Sequence, residues 1–157
     1  MYGSEGRARR KRRVLTRLKA HIGVDSRTKL VHTVLASAAN VADCLALQYL
    51  LHGKERRVWG DQAYRGQKAA IRAGAPRAKD FTNQRYRWGK RIDESLKATN
   101  RRKSSVRAKV EHVFGVIKRV FGFQKVCYRG LAKNLHRLEV SAALANLFLS
   151  RRRLLNA

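Results

Sequence analysis

The sequence predicts an α/β domain. Strand patterning is carried by its first third, helical patterning by its last third, and 44 % hydrophobic content over 157 residues suffices to bury a core of both. Leu18, Ala20, Ile22 and Val24 alternate, and beyond Asp25-Ser-Arg-Thr the run Leu30-Val-His-Thr-Val-Leu is rich in β-branched residues. Residues 18–37 therefore read as an antiparallel hairpin. Val106, Val110, Val113, Phe114, Ile117 and Phe121 recur at helical spacing, as do Leu131, Leu135, Leu138, Ala142, Ala145 and Leu149.

The elements follow in order. Residues 7–13, Arg-Ala-Arg-Arg-Lys-Arg-Arg, form a charge block without apolar periodicity, so residues 1–17 are expected to be a disordered basic arm and residues 18–157 the folded domain. After the hairpin, Val41, Cys44, Leu45, Leu47, Leu50 and Leu51 predict a helix over 41–51 behind an Asn40 cap. Arg57-Val-Trp-Gly reads as a short strand that delivers Asp61 at its carboxyl end, the place where open α/β sheets put ligands. Gly60 and Gly66 would let the backbone approach a ligand there, with Tyr64 and Arg65 reaching into the site. Residues 68–100 are less regular: a short helix, Pro76, a possible strand at Ala78-Lys-Asp-Phe, then a basic stretch with Tyr86 and Trp88. Those rings suit either stacking on bases or packing over aliphatic stems. The helix over 104–121 ends at Gly122, an extended connector covers 123–128, and Gly130 precedes the last helix, 131–149, which runs up to Arg151-Arg-Arg.

Charge narrows the partners. Thirty-seven Lys and Arg against ten acids leave a net charge of +27, which points to a polyanion, nucleic acid before an anionic membrane surface. The sequence has no apolar run of about 18 residues and no signal segment, which argues against spanning or secretion. Cys44 and Cys127 lack partners at zinc-finger spacing and read as buried thiols. The five histidines form no ligand cluster, and His21 and His32 fall in the expected strands as packing residues.

Among so few acids, Asp61 and Glu111 stand out because each lies in an apparently ordered segment. Such acids in a basic chain suit a site where a cation and a polyanion meet, although both also suit ordinary ion pairing. Arg107, Glu111 and Lys118 follow at spacings of four and seven, so all three project from one face of the helix. That face can set Glu111 over the strand end bearing Asp61, with Arg107 and Lys118 poised for phosphate oxygens. The same spacing also gives a plain Arg107–Glu111 surface pair, worth about 0.3–0.5 kcal/mol.

Three strings together resemble bacterial insertion-sequence transposases of the DDE type: Lys19-Ala-His-Ile-Gly-Val-Asp-Ser-Arg-Thr-Lys, Val58-Trp-Gly-Asp-Gln-Ala-Tyr-Arg-Gly, and Arg107-Ala-Lys-Val-Glu-His-Val-Phe with its continuation through Phe121-Gly-Phe and Tyr128-Arg-Gly-Leu-Ala-Lys-Asn. The resemblance covers about residue 18 onward and includes an Arg-x3-Glu-x6-Lys signature at Arg107, Glu111 and Lys118.

The resemblance implies a ribonuclease H-like fold, a mixed sheet with flanking helices, in which three acids bind two magnesium ions roughly 3.5–4 Å apart to cleave and join transposon ends. Asp61 matches the second acid and Glu111 the third. Arg107 and Lys118 match positions that contact DNA, and Ser104 stands where the family often has a tyrosine. No aspartate precedes Asp25, which aligns with the hairpin turn rather than with the first catalytic acid. The expectation is therefore the carboxyl-terminal part of a transposase that lacks the first strand, binds Mg2+ weakly and has little or no activity alone. Its partners would be transposon-end DNA, a second copy, or an amino-terminal fragment that supplies the missing strand. A cytoplasmic, nucleoid-associated location follows from these partners. The alternative is a noncatalytic DNA-binding regulator or remnant of an insertion element.

Overall fold

A computed structural model describes residues 17–156. The expected basic arm, Arg17 apart, lies outside the described residues. The chain forms β1 (Leu18–Val24), β2 (Val31–Ala38), α1 (Leu47–Leu50), β3 (Arg57–Val58), α2 (Lys68–Gly74), β4 (Lys79–Asp80), β5 (Arg87–Trp88), β6 (Arg91–Ile92), α3 (Glu94–Arg119) and α4 (Leu131–Leu155). The α/β expectation holds at this level. The strands, however, form three separate two-stranded sheets, β1–β2, β3–β4 and β5–β6, rather than one mixed sheet.

The hairpin lies where the alternation put it, with Leu18 opposite Ala38 and the register slipping between Gly23 and Val24. Asp25 closes the turn: its Oδ1 accepts from the Arg27 and Thr28 backbone N–H groups at 2.8 and 2.6 Å and from Thr28 Oγ1 at 2.9 Å. These bonds, the Thr28 N–H foremost, hold its carboxyl below the usual range. Asp25 is a turn residue. His21 is buried, and burial lowers the pKa of both His21 and His32.

The chain between β2 and β3 differs from the expected 41–51 helix. A 3-10 turn at Asp43–Ala46 leads into a single α-turn, and the capping position is Ala42, without a side-chain cap, rather than Asn40. Only one α-turn forms before the backbone turns extended at Leu51, with φ −86° and ψ 141°.

β3 pairs with β4 in parallel. The bonding extends past the two-residue strands: Lys79 N–H donates to Arg56 C=O, Phe81 N–H to Val58 C=O and Asn83 N–H to Gly60 C=O, at 2.8–3.0 Å. Extended pairing thus carries the chain to Gly60, next to Asp61.

α3 begins at Glu94, ten residues ahead of the expected Ser104. Asp93 caps it, accepting from Leu96 N–H at 2.9 Å. Its first turns are polar and largely exposed, so no apolar stripe marks them. α4 likewise continues through Arg151-Arg-Arg to Leu155.

Two apolar clusters result. Ile22 and Val31 of the hairpin pack with Val113, Val116 and Ile117 of α3 and Leu138, Ala142 and Ala145 of α4. Leu47, Val58 and Ile71 form the second cluster, joined by Leu51, Tyr64 and Ala78. α3 is tied to both sheets. Lys109 Nζ donates to Ser26 C=O in the hairpin turn at 2.6 Å, while Lys103 Nζ donates to Thr82 C=O at 3.1 Å and Asn100 bonds both backbone groups of Gln84, just beyond β4. No helix among the described residues is long and apolar enough to cross a membrane.

Candidate functional site

Asp61 stands at the end of the β3 extension and caps the 3-10 turn Gln62–Tyr64, its Oδ1 accepting from Ala63 N–H at 2.9 Å. Its second oxygen faces α3. There Arg107 Nη1 lies 3.7 Å from Asp61 Oδ2, and Arg107 Nη2 lies 2.8 Å from Glu111 Oε1. The first distance is an ion pair without a hydrogen bond; the second is a charge-assisted hydrogen bond. One guanidinium thus bridges the two acids that the sequence singled out. The Arg107–Glu111 half of that bridge was legible in the four-residue spacing; the Arg107–Asp61 half had no sequence signal, because Asp61 is remote from α3 in the chain. Arg107 Nε is buried and has no partner among the described residues, so the group keeps a donor in reserve.

The three side chains are 36–61 % exposed, which leaves the pairs open to screening by solvent and salt. Asp61, Arg107 and Glu111 border a cavity of about 1390 Å³ that runs between β1 and β3.

Of the other expected site residues, Tyr64 lines the same cavity, while Arg65 and Lys118 lie outside its lining. Tyr64 packs in the second apolar cluster, and burial, then the charges of Asp43 and Asp61, push its hydroxyl up to about 12. Arg65 is exposed. Lys118 lies two turns along α3 from Glu111, its ammonium 5.5 Å from the Phe114 ring centroid. Gly60 does allow a close approach, but to the protein itself: an added Cβ would sit 3.2 Å from Thr82 Cγ2 and from Tyr64 Cβ. Gly66 has φ +82° with nothing nearby.

Sequence patterning had not defined the β5–β6 hairpin. Arg85, Tyr86, Arg87 and Gly89 of this region share a small hollow with Gln62, the neighbour of Asp61. Trp88 at its tip is 52 % exposed, so of the two rings it is the one available for stacking. The thiols also depart from expectation: Cys44 is half-buried and Cys127 exposed, with Arg137 Nη1 2.5 Å from its sulfur.

The chain matches the family described as Transposase DDE domain over residues 2–147. It belongs to the DDE transposase family. No solved structure matches the chain.

The family generally uses divalent metal ions. The described residues do not by themselves fit a two-metal site. Two carboxylates converge with a guanidinium between them, and no group of three His, Cys, Asp or Glu side chains among the described residues could hold a metal. Two carboxylates leave much of the charge of two cations uncompensated.

Proposed function

We propose that this transposase domain acts in DNA transposition by binding transposon-end DNA, with Asp61 and Glu111 as two of the carboxylates of a two-metal phosphoryl-transfer site on a ribonuclease H-like framework. The observation that carries the reading is the convergence of Asp61 and Glu111 on Arg107, from segments remote in the chain, in a molecule of net charge +27. Arg107 and Lys118 serve as phosphate contacts. Arg65 and the exposed Trp88, flanked by arginines, extend that surface. Mg2+ binding is weak with two carboxylates, so the chain alone nicks DNA poorly or not at all. Paired transposon ends call for two copies, and DNA as substrate for a nucleoid-associated, cytoplasmic location.

A noncatalytic DNA-binding regulator is the second reading. The specific observation in its favour is that Arg107 lies between both acids and offsets one of their two charges where metal ions would have to enter.

The test is incubation of labelled linear DNA carrying the element's ends with magnesium or manganese, comparing the chain with Asp61→Ala and Glu111→Ala. Metal-dependent nicking that disappears in both variants supports the catalytic reading. Equal binding by all three proteins without nicking supports the regulator, and nicking that survives both substitutions removes the assigned acids from the chemistry.

A further inference from the structure

α4 is apolar on two opposite faces. Leu138, Ala142 and Ala145 point into the first apolar cluster. About half a turn round the helix, Val140, Leu144, Leu147 and Leu154 are 42–61 % exposed, with Ala143 exposed beside them. A helix that only covers a core keeps its outer face polar, as α3 does with Arg101, Glu111, His112, Lys118 and Arg119. Packing among the described residues therefore gives the outer stripe of α4 no role.

The stripe has a regular spacing. Val140, Leu144, Leu147, Arg151 and Leu154 follow at intervals of four, three, four and three, the seam along which one helix packs against another. It runs about 21 Å along the surface. The small side chains of Ala143 and Ser150 flank it on one side, where a second backbone can come close.

Charge identifies what the seam takes. Arg151 sits within it, its guanidinium 4.0 Å from the Phe148 ring centroid and its Nη1 donating to the Phe148 C=O at 2.6 Å. α4 carries five Lys and Arg against a single acid, Glu139. That acid lies off the stripe and pairs with His136 at 3.1 Å. A second copy of α4, in either direction, thus has no carboxylate to set against Arg151, and two chains of net charge +27 repel. A nucleic-acid backbone supplies negative charge but nothing to cover four aliphatic side chains.

We propose that the outer face of α4 docks an amphipathic helix of another protein, acidic overall, with Leu-like residues at the same four-three spacing and a carboxylate where it meets Arg151. The helix lies along α4 and covers Val140, Leu144, Leu147 and Leu154. Its carboxylate pairs with Arg151 between leucines that shield the pair from water. The face is turned away from the core, so the docking stands whether or not the chain cleaves DNA.

The test is fluorescence anisotropy of the full chain with an acetylated, labelled peptide of three Leu-Ala-Ala-Leu-Glu-Gln-Glu repeats, Glu replacing the first Leu of the middle repeat. A permuted peptide of the same composition, its leucines spread round the helix, carries the same charge. In about 0.3 M salt, which screens the long-range attraction, the patterned peptide is expected to bind about tenfold or more tightly than the permuted one. Leu144→Gln with Leu147→Gln, and independently Val140→Gln with Leu154→Gln, abolish that difference. Arg151→Gln erases the preference for the patterned peptide over one with Gln in place of the central Glu. The substituted side chains are exposed, so the variants keep the helical circular dichroism of the parent. Equal affinity for patterned and permuted peptides, or undiminished preferences in the variants, overturns the proposal. So does a leucine-dependent dimer of the chain in sedimentation, or leucine-dependent binding to phosphatidylglycerol vesicles, because a second copy or a lipid surface then covers the face.

Discussion

Arg107 is the residue on which the candidate site turns. Two carboxylates held by one side chain repel; the guanidinium between them offsets that repulsion, and only its Nη2 is within hydrogen-bond distance of an acid. Tyr64 shows the complementary case, a residue read from sequence as a site group that lines the cavity and also packs against the second apolar cluster. Its hydroxyl ionises near 10.0 in the ordinary state and near 12 here, so between those values the unfolded chain has lost a proton that the folded chain keeps. The stability it contributes is therefore complete below pH 10 and is lost as pH rises toward 12. Thermal midpoints of the parent and Tyr64→Phe across that window are expected to differ, the variant falling less. Parallel curves would show that the hydroxyl is not held out of solvent.

At the scale of elements, α3 acts as a cross-brace between two sheets that have no direct pairing. Its attachments differ in kind from the clamp on the hairpin, where Asn146 of α4 accepts from Val31 N–H at 2.7 Å and donates to Val31 C=O at 2.8 Å. Asn146→Ala leaves both backbone groups of a buried residue unpaired and is expected to cost about 1–3 kcal/mol. Asp93→Ala removes only the exposed cap of α3, at about 1 kcal/mol. Urea unfolding of the two variants should rank them in that order; a reversed ranking would mean that the amino-terminal turns of α3 contribute more to the fold than the hairpin clamp. Asn134 is a further buried polar anchor, with contacts to Cys127, Tyr128 and Gly130 that shape the loop before α4.

For the whole molecule, a net charge of +27 makes binding to DNA an ion-exchange reaction. The logarithm of affinity is expected to fall linearly with that of salt concentration, and a residue that contacts a phosphate contributes about 0.9 to the slope. Lys118→Ala should therefore flatten the slope by about that amount while leaving the fold intact, since Lys118 is exposed at the end of α3. Filter binding over a salt series measures this, and an unchanged slope would take Lys118 out of the DNA contact surface.

The sequence by itself determined the local elements whose pattern is periodic: the hairpin from its alternation, the apolar halves of α3 and α4 from their stripes, and the delivery of Asp61 at the end of a short strand. It also determined the family, through strings that survive without any geometry. It did not show where α3 begins, because an exposed polar helix has no stripe, or that Cys127 is exposed. Only the tertiary structure decided that Arg107 bridges Asp61 to Glu111, that Tyr64 packs against the second apolar cluster, and that β1 and β3 face each other across a gap. Those are contacts between segments remote in the chain, and they depend on how α3 is tied down at Ser26 and Thr82, which no local propensity encodes.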